Sequence, residues 1–336
     1  MECESKMKVL ITGGLGYLGS VMIGKLLDKG HKVRVLDSSI YGNFLGLAGK
    51  QVELVEGDIR DRRQLLNATS DVDAIIHLAG IIGDAAANLD KELTIRANCL
   101  ATKRLAELCS RKGLRFLFSS TCSVYGARPN EVIRENSQIA PLSLYAMSKL
   151  IAEESIMKRC DNYVIFRLGT LFGLSPRMRF DLVINKFIAQ AIQDAKITVY
   201  GGLQRRPFVH VQDVSDTFVK ALTSDVKGTY ILGGTNYRIQ EAAEVIKQQT
   251  GCNVTVLNGM KDPRDYAVDS SLAEKVFGFK DIKRVEYAVD ETKDAYARKV
   301  IRDYRESIFN NEEWLKSYGV KSVDHWLDRK IGKCTC

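Results

Sequence analysis

Apolar residues follow two rhythms along most of this chain. Lys8–Thr12, Lys32–Leu36, Val52–Val55, Ala74–Leu78, Arg115–Phe118 and Tyr163–Phe166 are short, apolar runs of strand length that end at glycines or polar turn residues. Between them, residues 18–27, a polar stretch from Asp61, residues 89–112 and residues 143–159 read as helices, the second of these gaps less apolar than the rest. Strands that alternate with helices predict an α/β fold with a parallel, doubly wound sheet, whose ligands bind beyond the C-terminal strand ends.

After Gly173 the pattern loosens. Pro176, Gly201, Gly202 and Pro207 surround one predicted helix at about 180–193. Phe208–Val211 and Thr229–Leu232 are strand-like and suggest a return to the first lobe. From about residue 239 the chain reads as mostly helical, with one strand near Val254–Val256. The pattern thus divides into a sheet domain of 7–172 and 208–238 and a smaller, mostly helical lobe of 173–207 and 239–336, which includes a polar and aromatic tail.

Composition narrows the class. With 45% hydrophobic residues in 336, a sizeable core is available and disorder is excluded as the main state. No run is apolar for long enough to span a bilayer, and Met1–Lys6 carries charge rather than an apolar leader core, so no membrane partner and a cytoplasmic location are expected. The eight cysteines have no regular spacing and read as reduced thiols, and Cys334 and Cys336 lie too close together for a zinc pair. No His, Cys and carboxylate set has metal-ligand spacing, so no metal is expected. The net charge of +8 fits nucleic acid, an anionic small substrate or a solvated surface, and charge alone does not choose among them. The absence of a long basic run with interleaved aromatics argues against nucleic acid.

The first strand runs into Gly13-Gly14-Leu15-Gly16-Tyr17-Leu18-Gly19 and then a helix. A phosphate must touch backbone N–H groups at a helix start. Gly13 permits the tight turn, Gly16 lets a pyrophosphate approach, and Gly19 lets helix and strand pack closely. Asp37 ends the second strand, where a carboxylate accepts ribose hydroxyls and repels a 2′-phosphate, which favours NAD over NADP. Asp58-Ile59 ends the third strand, at the expected adenine edge.

Tyr145 and Lys149 are one helical turn apart and share a face. A phenol with an ordinary pKa of about 10 is a poor base near neutrality. A neighbouring ammonium favours the phenolate, and Lys149 is positioned by spacing to supply one and to bond a nicotinamide ribose. Upstream, the strand at Phe116–Phe118 enters the hydroxyl-rich turn Ser119-Ser120-Thr121-Cys122-Ser123, where a doubly wound sheet presents catalytic groups.

Over about residues 7–300 the chain resembles the extended short-chain dehydrogenase/reductases, the NAD-dependent epimerase/dehydratase group that acts on nucleotide sugars. The resemblance is carried by the three glycines, Asp37, Asp58, His77-Leu78-Ala79-Gly80, Asn98, Ser119-Ser120-Thr121, Val124-Tyr125-Gly126, Tyr145 with Lys149, Arg167 with Gly173, and Arg206-Pro207-Phe208-Val209-His210-Val211 with Asp213. It implies a tightly held NAD in a Rossmann domain, touched by Gly13, Gly16, Tyr17, Leu18, Asp37, Asp58, Ile59, Leu78, Ala79, Gly80, Asn98, Ser119, Ser120, Tyr145, Lys149 and Leu168. It makes Tyr145 the proton-transfer residue, Lys149 its partner and Thr121 the catalytic hydroxyl. It implies that a nucleotide-diphosphate sugar is held by Thr121, Tyr145, Thr170, Arg206 and Arg264, the two arginines gripping the diphosphate. Relatives pair through the long helix and the Tyr–Lys helix, so a homodimer through 89–112 and 143–159 is expected.

Departures from the family pattern sharpen the expectation. Sugar dehydratases of the family place two acids directly after the catalytic threonine, and decarboxylases want a glutamate there. Here those positions are Cys122 and Ser123, and Cys122 reads as a packing residue. The family's asparagine is Thr170. Arg177 and Arg179, in Ser175-Pro176-Arg177-Met178-Arg179, face either ligand or solvent. His77 reads as a core or turn histidine. The expected activity is epimerisation by transient oxidation, most simply at C4 of a hexose. The alternatives are a keto-sugar reductase or dehydrogenase, and a catalytically silent dinucleotide sensor.

Overall fold

The computed structural model describes residues 6–129, 131–257 and 264–318. Seven parallel strands form the main sheet, in the spatial order Gly228–Leu232, Tyr163–Leu168, Arg115–Thr121, Ala74–His77, Lys8–Thr12, Lys32–Asp37 and Val52–Glu56. The first strand is central, and the strand order reverses on its two sides, which opens a crevice at its carboxyl end.

Strand alternation explains why both faces are covered. Val9 and Ile11 pack to one side with Met22, Ile23 and Leu26 of the helix Tyr17–Asp28 and with Val214 and Phe218 of Val211–Leu222. Leu10, Ile75, Phe116 and Phe118 pack to the other with Leu105 and Cys109 of Thr102–Lys112 and with Ala152 and Ile156 of Leu144–Met157. Each buried Leu, Ile, Val or Phe contributes about 1.5–3 kcal/mol, so these two layers fix where the crevice lies. All five described cysteines are free and buried. His77 sits in the middle layer, bonded at 2.6 Å to Thr12 Oγ1 and 2.8 Å to Thr102 Oγ1, and burial lowers its pKa to about 3.

Three differences from the sequence expectation stand out. Residues 89–112 are not one helix: the chain forms Asp84–Leu89, restarts at Lys91, and runs through a π-helical stretch, Ile95–Ala101, before Thr102–Lys112. The break comes at Asp90, which is extended and caps the new start by accepting from Leu93 N at 2.8 Å. Phe208 and Val209 do not return to the main sheet. They belong to Arg205–His210, the middle strand of a separate sheet between Thr235–Arg238 and Thr170–Phe172, although their neighbouring helix Val211–Leu222 does pack on Tyr17–Asp28. The strand at Asn253–Leu257 is present and pairs with Lys196–Tyr200, which the apolar pattern did not reveal.

The end of the chain has a place in this architecture. A short 3-10 turn, Ser307–Phe309, and the helix Asn311–Tyr318 lie against the crevice, where Trp314 Nε1 donates to Ile40 O at 2.7 Å and Phe180 N donates to Phe309 O at 2.9 Å. Cys334 and Cys336 lie outside the described residues. No helix among the described residues is long and apolar enough to cross a membrane.

Candidate active site

A cavity of ≈ 340 Å³ opens at the carboxyl ends of the central strands, a size suited to small-ligand binding. One end is built mainly from backbone. Gly13 has φ +74°, and a Cβ there would stand 2.6 Å from Ala79 N; a Cβ on Gly19 would stand 2.5 Å from Gly13 O. The turn therefore closes against the strand only with glycine. The helix that follows has Gly16 at its cap, with no side-chain cap and no acidic residue in its first turn, and Gly16, Tyr17, Leu18 and Gly19 at its start line the cavity.

Asp37 stands at the edge of this turn. Its carboxylate accepts from Leu15 N at 3.0 Å and Ser39 N at 2.9 Å. Burial raises its pKa, opposed by those two bonds and by the field of Arg177. Asp58 lines the cavity, but Arg60 holds both of its oxygens, at 3.1 Å and 3.0 Å from Nε. Ile59, Leu78, Ala79 and Gly80 complete the wall. These groups fit a dinucleotide: an anion-receptive helix start, a carboxylate at the second strand's end and an apolar slot beside it.

The other end is assembled from side chains. Ser143 caps the helix Leu144–Met157 and thereby aims Tyr145 and Lys149 into the cavity. Thr121 ends the strand Arg115–Thr121, and its hydroxyl is hydrogen-bonded with that of Tyr145. Burial holds the Tyr145 phenol well above its ordinary value, opposed chiefly by the charge of Arg179 and next by the bond to Thr121. Lys149 is 2% exposed, stands 4.2 Å from the ring centre of Phe118, and is lowered to about 7 by burial, opposed by Glu153. Among the charges that bear on the Tyr145 phenol, that of Arg179 is the leading one that favours the phenolate.

Of the residues singled out from sequence, Gly13, Gly16, Tyr17, Leu18, Asp37, Asp58, Ile59, Leu78, Ala79, Gly80, Ser119, Ser120, Thr121, Tyr145, Lys149, Leu168, Thr170 and Arg264 line this one cavity. Two are set back from it. Asn98 lies on the π-helical stretch, accepts from Ile81 N at 2.8 Å and donates to Ile81 O at 2.9 Å and Ser148 Oγ at 3.0 Å. It ties the loop after Gly80 to the Tyr–Lys helix. Arg206 is buried behind Tyr266, 5.5 Å from its ring centre, so it backs the aromatic wall. Two others face the cavity with their hydroxyls turned away: Ser120 donates to Glu153, within a buried Glu153–Arg167 pair, and Ser119 donates to His77 O at 3.4 Å. Arg264 pairs with Asp84 at 2.9 Å.

The sequence reading missed Tyr41, Tyr266 and Asn311 on the wall, and left Arg177 and Arg179 undecided between ligand and solvent. Both arginines line the cavity. Arg179 is locked fork to fork on Asp181 at 3.0 and 2.6 Å, and Arg177 lies 4.3 Å from the ring centre of Tyr41. Ser123 is hydrogen-bonded with Tyr266, whose phenol burial pushes up to about 12. Cys122 is fully buried, donates to Arg167 O at 3.3 Å, and burial holds its thiol protonated, so it packs rather than transfers protons. Among the described residues no cluster of His, Cys, Asp or Glu is able to hold a metal ion.

Comparison with known proteins agrees with this geometry. The model of the NAD dependent epimerase/dehydratase family matches residues 9–233. UDP-glucuronic acid decarboxylase 1 of Xenopus tropicalis is 28% identical over 307 residues, which cover 86% of this chain and 72% of the relative. An uncharacterized UDP-glucose epimerase of Bacillus subtilis is 33% identical over 262 residues, 72% of this chain and 79% of the relative. The solved UDP-glucuronic acid 4-epimerase of Bacillus cereus, in complex with UDP-glucuronic acid and NAD, superposes with a TM-score of 0.76 at 25% identity, covering 88% of this chain and 100% of that one.

Proposed function

The chain belongs to the NAD dependent epimerase/dehydratase family, and from that premise we propose that it is a nucleotide-sugar 4-epimerase, acting on a nucleotide-diphosphate hexose by transient oxidation of its C4 hydroxyl. The observation that carries this reading is the set of groups around Tyr145. A hydroxyl at Thr121 and a cation at Arg179 face the phenol, while Cys122 and Ser123 fill the two positions after Thr121. Elimination of water, or loss of a carboxylate, needs an acid or base beside the ring carbon next to the oxidised one. Buried Cys122 and the Ser123 hydroxyl offer none.

NAD supplies the redox chemistry at the sugar carbon when bound. The protein's own contributions are positional and electrostatic. Tyr145 takes the proton of the reacting hydroxyl and returns it, Thr121 bonds the same oxygen, and Arg179 favours the phenolate. Lys149, lowered to about 7, is able to pass a proton on near neutrality. Arg264, held by Asp84, is the group on the wall that suits the sugar's diphosphate, and Thr170 lines the same cavity.

The rival within the family is decarboxylation, the activity named for the Xenopus relative. Incubation with UDP-glucose and with UDP-glucuronic acid separates the readings. An epimerase yields the C4 epimer and no carbon dioxide, whereas a decarboxylase yields a pentose and carbon dioxide. A dehydrogenase accumulates NADH from added NAD⁺, a reductase consumes NADH only once a keto-sugar nucleotide is supplied, and a silent sensor converts nothing, with or without Tyr145. We also propose a homodimer through the helices of residues 91–112 and 144–157, which expose Ile95, Leu100, Met147 and Ile151. A monomer in light scattering at micromolar concentration refutes that. The division into a dinucleotide domain and a substrate lobe, and a reducing compartment consistent with the five free buried cysteines, belong to the same proposal.

A further inference from the structure

We propose that Arg177 is a cofactor-binding residue: its guanidinium, carried in from the substrate lobe, grips the diphosphate of the dinucleotide across from the start of the helix Tyr17–Asp28, and Asn311 holds it there. Three observations converge. The segment that carries Arg177 is docked on that helix start, because Ser175 Oγ donates to Tyr17 O at 2.7 Å and the Tyr17 hydroxyl donates to Gly173 O at 2.6 Å. Arg177 is only 2% exposed and lines the cavity together with Gly13, Gly16 and Asp37. Its Nη2 donates to Asn311 Oδ1 at 2.8 Å and lies 3.3 Å from Ile308 O, yet its buried Nε has no partner.

A guanidinium taken out of water with a donor unsatisfied is costly unless an anion completes it. Burial, and next the charge of Arg179, push Arg177 down to about 10, opposed by Tyr41, Asp181 and Asp37. A diphosphate is the anion the cavity admits on this side, since the helix start opposite has no acidic residue in its first turn. The nucleotide sugar carries a diphosphate too. Arg177, however, stacks on Tyr41 and feels Asp37, which mark the dinucleotide end, whereas Arg264 and Arg179 stand at the sugar end. The partner Asn311 gives the C-terminal segment a role: it backs the clamp, and so links cofactor retention to residues 307–318. The inference does not depend on the epimerase reading, because a reductase holds the same dinucleotide.

The test is equilibrium binding to the full chain of NAD⁺, ADP-ribose, adenosine and UDP, for the parent, Arg177→Met, Arg177→Lys and Asn311→Ala. Arg177→Met is expected to weaken NAD⁺ and ADP-ribose by about 30-fold while adenosine and UDP stay within about twofold of the parent. Arg177→Lys is expected to fall between, and Asn311→Ala to weaken NAD⁺ by about threefold. Unchanged NAD⁺ affinity overturns the proposal. So does a loss confined to UDP, which assigns Arg177 to the substrate, or an equal loss for adenosine, which marks a structural role. If Arg177→Met does not fold, the same comparisons between Arg177→Lys, Asn311→Ala and the parent decide.

Discussion

The two ends of the cavity are built by different means. The dinucleotide end is mostly backbone: one contiguous turn, Gly13–Gly19, a helix start, and a carboxylate that follows on the next strand. The sugar end is a convergence of side chains from separate segments, with Thr121 on a strand, Tyr145 on a helix, Arg179 in a loop, and Arg264 and Tyr266 beyond residue 260. Backbone geometry tolerates no added atom, so the first end is rigid and general. Side-chain convergence is adjustable, so the second end is where relatives of one fold diverge in reaction.

If that contrast is right, damage at one end should leave the other working. Tyr145→Phe makes the sharpest cut: turnover falls about 10³-fold or more while NAD stays bound in equal amount through gel filtration. Loss of NAD together with turnover would join the two ends and break the comparison. Gly13→Ala does the reverse. The new Cβ meets Ala79 N at 2.6 Å in a left-handed conformation, so NAD retention is lost at a stability cost of about 3 kcal/mol, readable by urea unfolding.

Smaller effects sharpen the sugar end. Arg179 lowers the Tyr145 pKa, and the phenolate is the active base, so Arg179→Gln moves the ascending limb of kcat/KM up by about one pH unit, and Arg179→Lys moves it less. An unmoved limb would take Arg179 out of the proton chemistry. Lys149→Met tests burial instead. The folded-state pKa of Lys149 is lowered to about 7, against an ordinary value of 10.5. The unfolded chain therefore binds the extra proton between these values, and the destabilisation is complete below pH 7 and relieved as pH rises toward 10.5. The cofactor-free variant should gain about 2–4 °C in Tm at pH 6, and less at pH 9. An equal gain at both pH values would point to packing rather than charge.

The same contrast explains what the sequence made legible. Gly13, Asp37, Tyr145 and Lys149 are readable because their spacing is local: one turn, one strand end, one helical repeat. Arg179 sits in a run that spacing could not orient, since a loop arginine has no periodicity to reveal its face. Asn311 meets Arg177 across 134 residues, and Tyr41 lies in a glycine-flanked loop, so neither left any local signal. Arg206 matched the family pattern yet backs Tyr266, because strand register decides which side of the wall a residue takes. The broken helix at Asp90 went unseen because its apolar spacing continues through the break, while the cap that interrupts it is a single side chain. Tyr266 follows Arg264 by two residues, and an aromatic beside a presumed phosphate ligand was the one signal available for it.

The central claim, that Tyr145 serves a reversible oxidation with no chemistry at the neighbouring carbon, is tested most directly by running the reaction in D₂O with UDP-glucuronic acid and with UDP-glucose, followed by proton NMR. The account predicts a C4 epimer from at least one of them that keeps its ring protons, with no solvent deuterium in the sugar and no carbon dioxide. A pentose product carrying deuterium at C5 would contradict it.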